Sequence, residues 1–185
     1  MSILLLDADG VFVDFVKGFL ATIKEVTGKE FTEDQITQFD IGKALGLSSE
    51  ELAAVYAAFK PGFCRALEPI PGAIEAIQRL NVIADVYVVT SPLSAVPTWT
   101  SEREAWVKEH LGFHHSRVIH GSAKHLVRGD FLVDDRAENC YAWNQANSGT
   151  AVIWKRPWNV NYPWLGHRFN EWPKLEKLIQ GKDPV

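Results

Sequence analysis

Two short stretches hold acidic residues in patterns that could hydrolyse a phosphate ester. Leu4-Leu5-Leu6-Asp7-Ala8-Asp9-Gly10-Val11 sets two carboxylates two positions apart after an apolar run, and Phe131-Leu132-Val133 leads into Asp134-Asp135-Arg136. Thr90-Ser91-Pro92 and Lys124 lie between them. Carboxylates gathered at one place repel unless a proton or a cation sits among them, and a hard divalent ion is the simplest resolution. Magnesium suits an all-oxygen ligand set. Lys124 and the hydroxyls of Thr90 and Ser91 would then cradle phosphate oxygens. Asp7, with an ordinary pKa of about 3.9, is expected to stay ionised and attack phosphorus. Asp9 points the same way from an extended strand end, and would protonate the leaving oxygen and later take a proton from water. Enzymatic accelerations of phosphate-monoester hydrolysis reach about 10²¹, and one positioned donor supplies about 3–4 kcal/mol, so all these groups must act together.

Taken singly, each Asp, Ser or Thr is an ordinary helix N-cap, so the elements that place them decide the reading. Ile3–Leu6 reads as a buried parallel strand. Phe12, Val16, Phe19, Ile23 and Val26 then recur at steps of four and three, which predicts a helix stopped by Gly28. Residues 29–68 carry two helix-start signatures, Thr32-x-x-Gln35 and Ser48-x-x-Glu51, and no strand, which predicts a small helical insertion. Alternation resumes after Pro69-Ile70-Pro71-Gly72 with a helix over Ala73–Leu80 and a strand over Val86–Val89. A helix opened by Ser101-x-x-Glu104 and closed at Gly112 follows, then strands at Val118-Ile119, Phe131–Val133 and Ala151–Trp154, with a helix over Glu138–Gln145. The fold expected is α/β, a three-layer Rossmann-like parallel sheet, with residues 1–28 and 69–185 as the core and 29–68 as a cap. In such sheets ligands bind beyond the carboxyl ends of the strands, where the residues above gather.

With 185 residues, 46% of them hydrophobic, the chain can bury one core beside a small insertion. Its 19 basic and 23 acidic residues give a net charge of −4, against a protein held to nucleic acid by a general basic surface, so the expected partner is a small molecule. Asp7 and Asp9 interrupt the apolar start and no apolar run approaches the ~18 residues of a membrane span, so a cytoplasmic location is expected. The missing Gly-rich phosphate loops favour a monophosphate over nucleoside triphosphates or dinucleotides. Cys64 and Cys140 read as idle buried thiols, the histidines between 110 and 125 as surface residues, and Trp154, Trp158, Trp164 and Trp172 as a tail packed over the sheet.

The ordered motifs resemble the haloacid dehalogenase superfamily of phosphohydrolases from residue 3 to about 155, with the insertion where that family carries its small cap. A closer resemblance is to the 5′(3′)-deoxyribonucleotidases. It rests on Asp7-x-Asp9-Gly10-Val11-x-x-Asp14-Phe15, Leu67-Glu68-Pro69 with Pro71-Gly72, Thr90-Ser91-Pro92, Trp106-Val107, Asp134-Asp135-Arg136 and the spacing of Lys124 to Asp130. The likeness implies Asp7 as nucleophile, Asp9 as acid/base and backbone-carbonyl metal ligand, and Asp135 as side-chain ligand of Mg²⁺ with Asp134 close behind. It implies Thr90, Ser91, Lys124 and Arg103 around the phosphate, and Phe15, Phe39, Ile41 and Arg136 around the nucleoside. The substrate implied is a (deoxy)nucleoside monophosphate, and a homodimer is compatible with the likeness.

Asp40 stands where animal members place an aromatic residue, and Arg103 where they use lysine, so base preference does not carry over. Two other readings share part of the pattern: a phosphatase of the same superfamily acting on a sugar or other small phosphate, and a receiver-like phosphoacceptor domain. Receivers put the acidic pair on the first strand and lack the insertion, whereas here Asp-x-Asp comes first.

Overall fold

The computed structural model describes residues 1–183; the last two positions of the predicted core segment lie outside the described residues. Six strands form one sheet in which every pairing is parallel: β1 (Ser2–Leu6), β2 (Ala84–Thr90), β3 (Val118–His120), β4 (Phe131–Asp134), β5 (Thr150–Trp154) and β6 (His167–Phe169). Their order across the sheet is β3-β2-β1-β4-β5-β6. The connection reverses direction between β1 and β4, and an open sheet offers its ligand crevice at such a switch point. The two acidic motifs end these two strands.

Side chains of β1 alternate across the sheet. Leu4 and Leu6 join one core with helices α5 (Ala73–Ile83), α6 (Trp99–Leu111) and α8 (Trp172–Ile179), while Leu5 joins a second core with α7 (Ala137–Ala146). Both faces of β1 are therefore covered, which explains its unbroken Leu4-Leu5-Leu6 run. Helix α1 (Phe15–Thr27) is capped by Asp14, whose side chain accepts from the Lys17 N–H at 3.0 Å, and ends at Gly28 with φ +72°. Phe12 precedes it in the loop, and Val26 is exposed.

Between α1 and α5 lie only helical elements: α2 (Ile41–Ala44), α3 (Ser49–Ala58), α4 (Phe63–Ala66) and a 3₁₀ turn at Glu33–Gln35. The capping box at Ser48 forms in full with Glu51, and at Thr32 its return half forms, the Thr32 N–H donating to Gln35 Oε1 at 2.8 Å. The insertion is tied to the core through α6. Glu102 accepts from the backbone N–H of Gly62 at 2.7 Å and Arg65 at 3.2 Å, and the Trp106 indole donates to the Leu67 carbonyl at 2.7 Å.

Three expectations need correction. Helix α6 starts at Trp99 rather than at Ser101, because Glu102 is engaged by the Thr98 hydroxyl and by the insertion's N–H groups. The segment after β5 is not merely a packed tail. It adds β6 to the sheet and α8 over one face, where Trp172 packs on Trp154 with ring centroids 4.3 Å apart. Cys64 and Cys140 are buried and free, as expected. His120 is partly buried, 3.3 Å from Glu104, and so departs from the surface reading.

Candidate active site

The carboxyl ends of β1 and β4 bring Asp7, Asp134 and Asp135 together, all buried, with one oxygen of each within 4.8 Å of the others. Lys124 reaches them from a 3₁₀ turn packed against α7. Its buried ammonium stands 2.7 Å from Asp7 Oδ1 and 2.7 Å from Asp134 Oδ2. Asp134 is fully engaged, since Oδ2 also accepts from Asn139 at 3.0 Å and Oδ1 from the Arg136 N–H at 2.8 Å. Asp7 differs: its Oδ1 accepts from Lys124 and from the Ala8 N–H at 2.8 Å, so both contacts fall on one oxygen.

A cavity of about 610 Å³ opens above these groups. Asp7, Asp9, Ser91, Lys124, Asp135 and Arg136 form its polar floor and rim. Phe15, Phe39, Ile41 and Tyr56 form its apolar wall, and the insertion lines the cavity with Phe39, Asp40, Ile41, Leu52 and Tyr56. The Arg136 guanidinium lies over the Phe39 ring at 4.5 Å, a cation–π contact that joins core to insertion across the opening. Size, an apolar wall and a few convergent polar groups are the marks of a small-molecule site.

The family model for 5′ nucleotidase, deoxy (pyrimidine), cytosolic type C proteins matches residues 1–183. The chain belongs to this family. As a family member it is an enzyme of the phosphoric-monoester hydrolase class. A Bordetella bronchiseptica protein provisionally named 5′(3′)-deoxyribonucleotidase is 37% identical over 143 residues, covering 72% of this chain and 74% of the relative. The human 5′(3′)-deoxyribonucleotidase of cytosolic type is 34% identical over 146 residues, covering 71% and 69%. Among solved structures, the Bacillus subtilis protein YfnB, bound to magnesium, superimposes with a TM-score of 0.62 at 13% identity over 97% of this chain and 98% of that one. That likeness is one of fold.

In this nucleotidase-family chain the predicted site residues divide into two sets. Asp7, Asp9, Ser91, Lys124, Asp135, Phe15, Phe39, Ile41 and Arg136 line the cavity. Thr90 and Arg103 are completely buried behind it. Arg103 donates to Asp9 Oδ1 at 2.5 Å, yet its Nε and Nη1 have no partner, and neither does Thr90 Oγ1. Buried donors without acceptors are costly, and an oxyanion would relieve that cost.

Three residues of one 3₁₀ turn after β5 belong to the site although their types did not announce it. Trp158 lines the cavity and donates from Nε1 to Asp135 Oδ2 at 3.1 Å. Asn159 donates to the Asp135 carbonyl at 2.7 Å and to the Trp154 carbonyl at 2.8 Å. Arg156 donates from Nε to the Gly10 carbonyl at 2.6 Å. Trp158 packs against the core, as the packed-tail reading expects, but also serves the site, and Trp172 is buried against Trp154, which belongs to β5.

Burial pushes the Asp7 carboxyl up to about 7, with Asp134 and Asp9 adding repulsion and Lys124 opposing. Burial likewise holds Asp135 well above the carboxylate range, helped by Asp7 and Asp134. For Lys124 burial pulls downward, but the two carboxylates outweigh it and keep the ammonium charged. The ordinary value of Asp7 therefore does not by itself keep it ionised: in the metal-free protein burial works against its charge. Among the described residues this trio is the group of acidic side chains close enough to share a cation, and its donor chemistry fits a hard one.

Gly10 shows how little slack the site has. Its φ is +78°, and a Cβ there would collide with the Asp135 carboxylate and come within 3.3 Å of Trp158. Gly10→Ala is expected to lower kcat/KM by at least about 10²-fold, since displacement of a reacting group by about 1 Å suffices for that. Steady-state assays beside a thermal melt check it, and unchanged kinetics would contradict the tight packing.

Proposed function

We propose that this enzyme dephosphorylates (deoxy)nucleoside monophosphates through an aspartyl-phosphate on Asp7, with Mg²⁺ as its metal. One observation carries the reading. The Asp7 carboxylate sits on the floor of an apolar-walled cavity with both of its contacts on Oδ1, which leaves Oδ2 for attack.

Asp7 and Asp135 would hold the ion through their side chains, and Asp9 through its backbone carbonyl. Asp134 orients Lys124, holding its ammonium at 2.7 Å. Bound there, magnesium would offset the carboxylate repulsion, favour the ionised form of Asp7 and withdraw charge from the phosphate oxygens. Asp7 Oδ2 forms a bond to phosphorus as the bond to the leaving oxygen breaks, and Asp9, the general acid, delivers a proton to that oxygen. Asp9 then takes a proton from a water that attacks phosphorus. The Asp7–phosphorus bond breaks, releasing inorganic phosphate and restoring the carboxylate. Lys124, Ser91, Thr90 and Arg103 would donate to the phosphate oxygens; the unpartnered donors of Thr90 and Arg103 support that assignment.

Residues 29–68 would act as the cap, closing the nucleoside pocket with Phe39, Ile41 and Tyr56 against Phe15 and Arg136. The human relative's name, a cytosolic-type deoxyribonucleotidase, supports both the substrate class and a cytoplasmic site of action. No described helix is long and apolar enough to cross a membrane.

A panel of nucleoside 5′- and 3′-monophosphates and sugar phosphates, assayed for phosphate release with Mg²⁺ and again with EDTA, tests the proposal. The nucleotides are expected to turn over with the higher kcat/KM, and EDTA to abolish release. Faster hydrolysis of sugar phosphates would assign the cavity to another leaving group.

A further inference from the structure

We infer that Trp158 is a positioning residue for the metal ligand Asp135, and that the Arg156–Asn159 turn is the clasp holding the ion site in shape. The inference rests on the proposed metal site and extends it to a part of the chain that carries no acidic motif.

Asp135 has two carboxylate oxygens and is buried. The Trp158 indole N–H takes Oδ2 at 3.1 Å, which fixes the plane of the carboxylate and leaves Oδ1 to a cation. Asn159 fixes the same residue by its backbone, donating at 2.7 Å to the Asp135 carbonyl, and is itself buried. Arg156 reaches the opposite loop and holds the Gly10 carbonyl at 2.6 Å, next to Asp9. One turn therefore ties the loop after β1 to the loop after β4, the two that converge on the ion.

The turn also reaches the insertion, since Arg156 Nη1 lies 3.5 Å from Glu33 Oε1. Gly10 has no side chain, and the space beside it is taken by the Asp135 carboxylate and the Trp158 ring. A tryptophan fits this place because its ring fills one wall of the cavity while its single N–H serves the carboxylate. Donors behind metal ligands set ligand orientation, and their loss lowers metal affinity by about 10–100-fold.

Calorimetric titration of the full chain with Mg²⁺ alone tests this. Trp158→Phe keeps the ring and removes the N–H, and is expected to bind Mg²⁺ about 10–100-fold more weakly than wild type. Its activity should require correspondingly more Mg²⁺ and recover as the ion saturates, a split that general loss of structure would not produce. Trp158→His, which restores a ring N–H, should recover part of the affinity. Equal Mg²⁺ affinity in wild type and Trp158→Phe would overturn the inference, whereas wild type that binds no Mg²⁺ would overturn the metal reading beneath it. If Trp158→Phe fails to fold, the isotope-labelled Trp158 indole N–H resonance of wild type decides. It should move along the Mg²⁺ binding curve, and an immobile resonance overturns the inference.

Discussion

Asp7→Asn is expected to lose activity by a factor on the order of 10⁴–10⁶, the scale seen when a nucleophile is removed from a concerted site, and yet to melt higher than wild type in metal-free buffer at about pH 8. Both effects come from one carboxylate. Asparagine cannot attack phosphorus, but it reproduces the uncharged form that burial favours. Native Asp7 keeps its proton up to about pH 7, while in the unfolded chain it loses it near 3.8. Because the native value is the higher one, the native state binds the extra proton between those limits. The associated stability is complete below the lower limit and lost as pH rises through the upper one. At pH 8 wild type has lost it and the amide has nothing to lose. The amide has no charge to desolvate, and Lys124 keeps Asp134 as its counter-ion at 2.7 Å, so losing the Asp7 charge does not leave the ammonium unpaired. Melting curves of the two proteins from pH 4 to 8 in EDTA should diverge as pH rises. A gap that closes instead would show that Asp7 is not desolvated as described.

Lys124→Met is expected to have the second-largest effect, and here activity and stability fall together. The ammonium is the shared counter-ion of Asp7 and Asp134, 2.7 Å from each, in a buried site. Removing one partner of a buried charge pair costs about 3–5 kcal/mol because the remaining charge has no compensation. Asp134 keeps its bonds from Asn139 and the Arg136 N–H, so the larger loss falls on Asp7. Loss of a positioned cationic donor to the reacting phosphate should lower kcat by a further 10²–10³-fold or so. Pairing the change with Asp134→Asn separates the roles. Asp134→Asn removes the carboxylate that repels Asp7, so the double variant should regain part of the stability while staying inactive, and recovered activity would make Lys124 a structural counter-ion only.

The parts of the site that could be read from sequence are those whose residue types are out of place in their surroundings. Carboxylates at the end of Leu4-Leu5-Leu6 and of Phe131-Leu132-Val133 interrupt strands that are otherwise apolar, and Lys124 became their partner once a parallel sheet put those ends at one edge. Trp158 was hidden for the opposite reason. An aromatic residue just past an apolar strand looks like core, and its neighbours Trp154 and Trp172 are core. Only the indole N–H, aimed at Asp135, separates the cases, and no spacing encodes that direction. Strand β6 carries no strand signal of its own, because His167-Arg168-Phe169 is short and mostly polar and its pairing with β5 is a tertiary event. For Arg103 likeness alone suggests a phosphate contact; that its guanidinium lies fully buried against Asp9 depends on the packing of α6.

The central claim, covalent capture of phosphate by Asp7, is tested most directly by quenching the enzyme in acid during turnover of a nucleoside monophosphate carrying radiolabelled phosphate. Borohydride, which converts an acyl phosphate to an alcohol, then marks the modified side chain for peptide mapping. Label bound to protein, with residue 7 recovered as homoserine, is the predicted result. Turnover without labelled protein, or a mark on any residue other than Asp7, would contradict the mechanism.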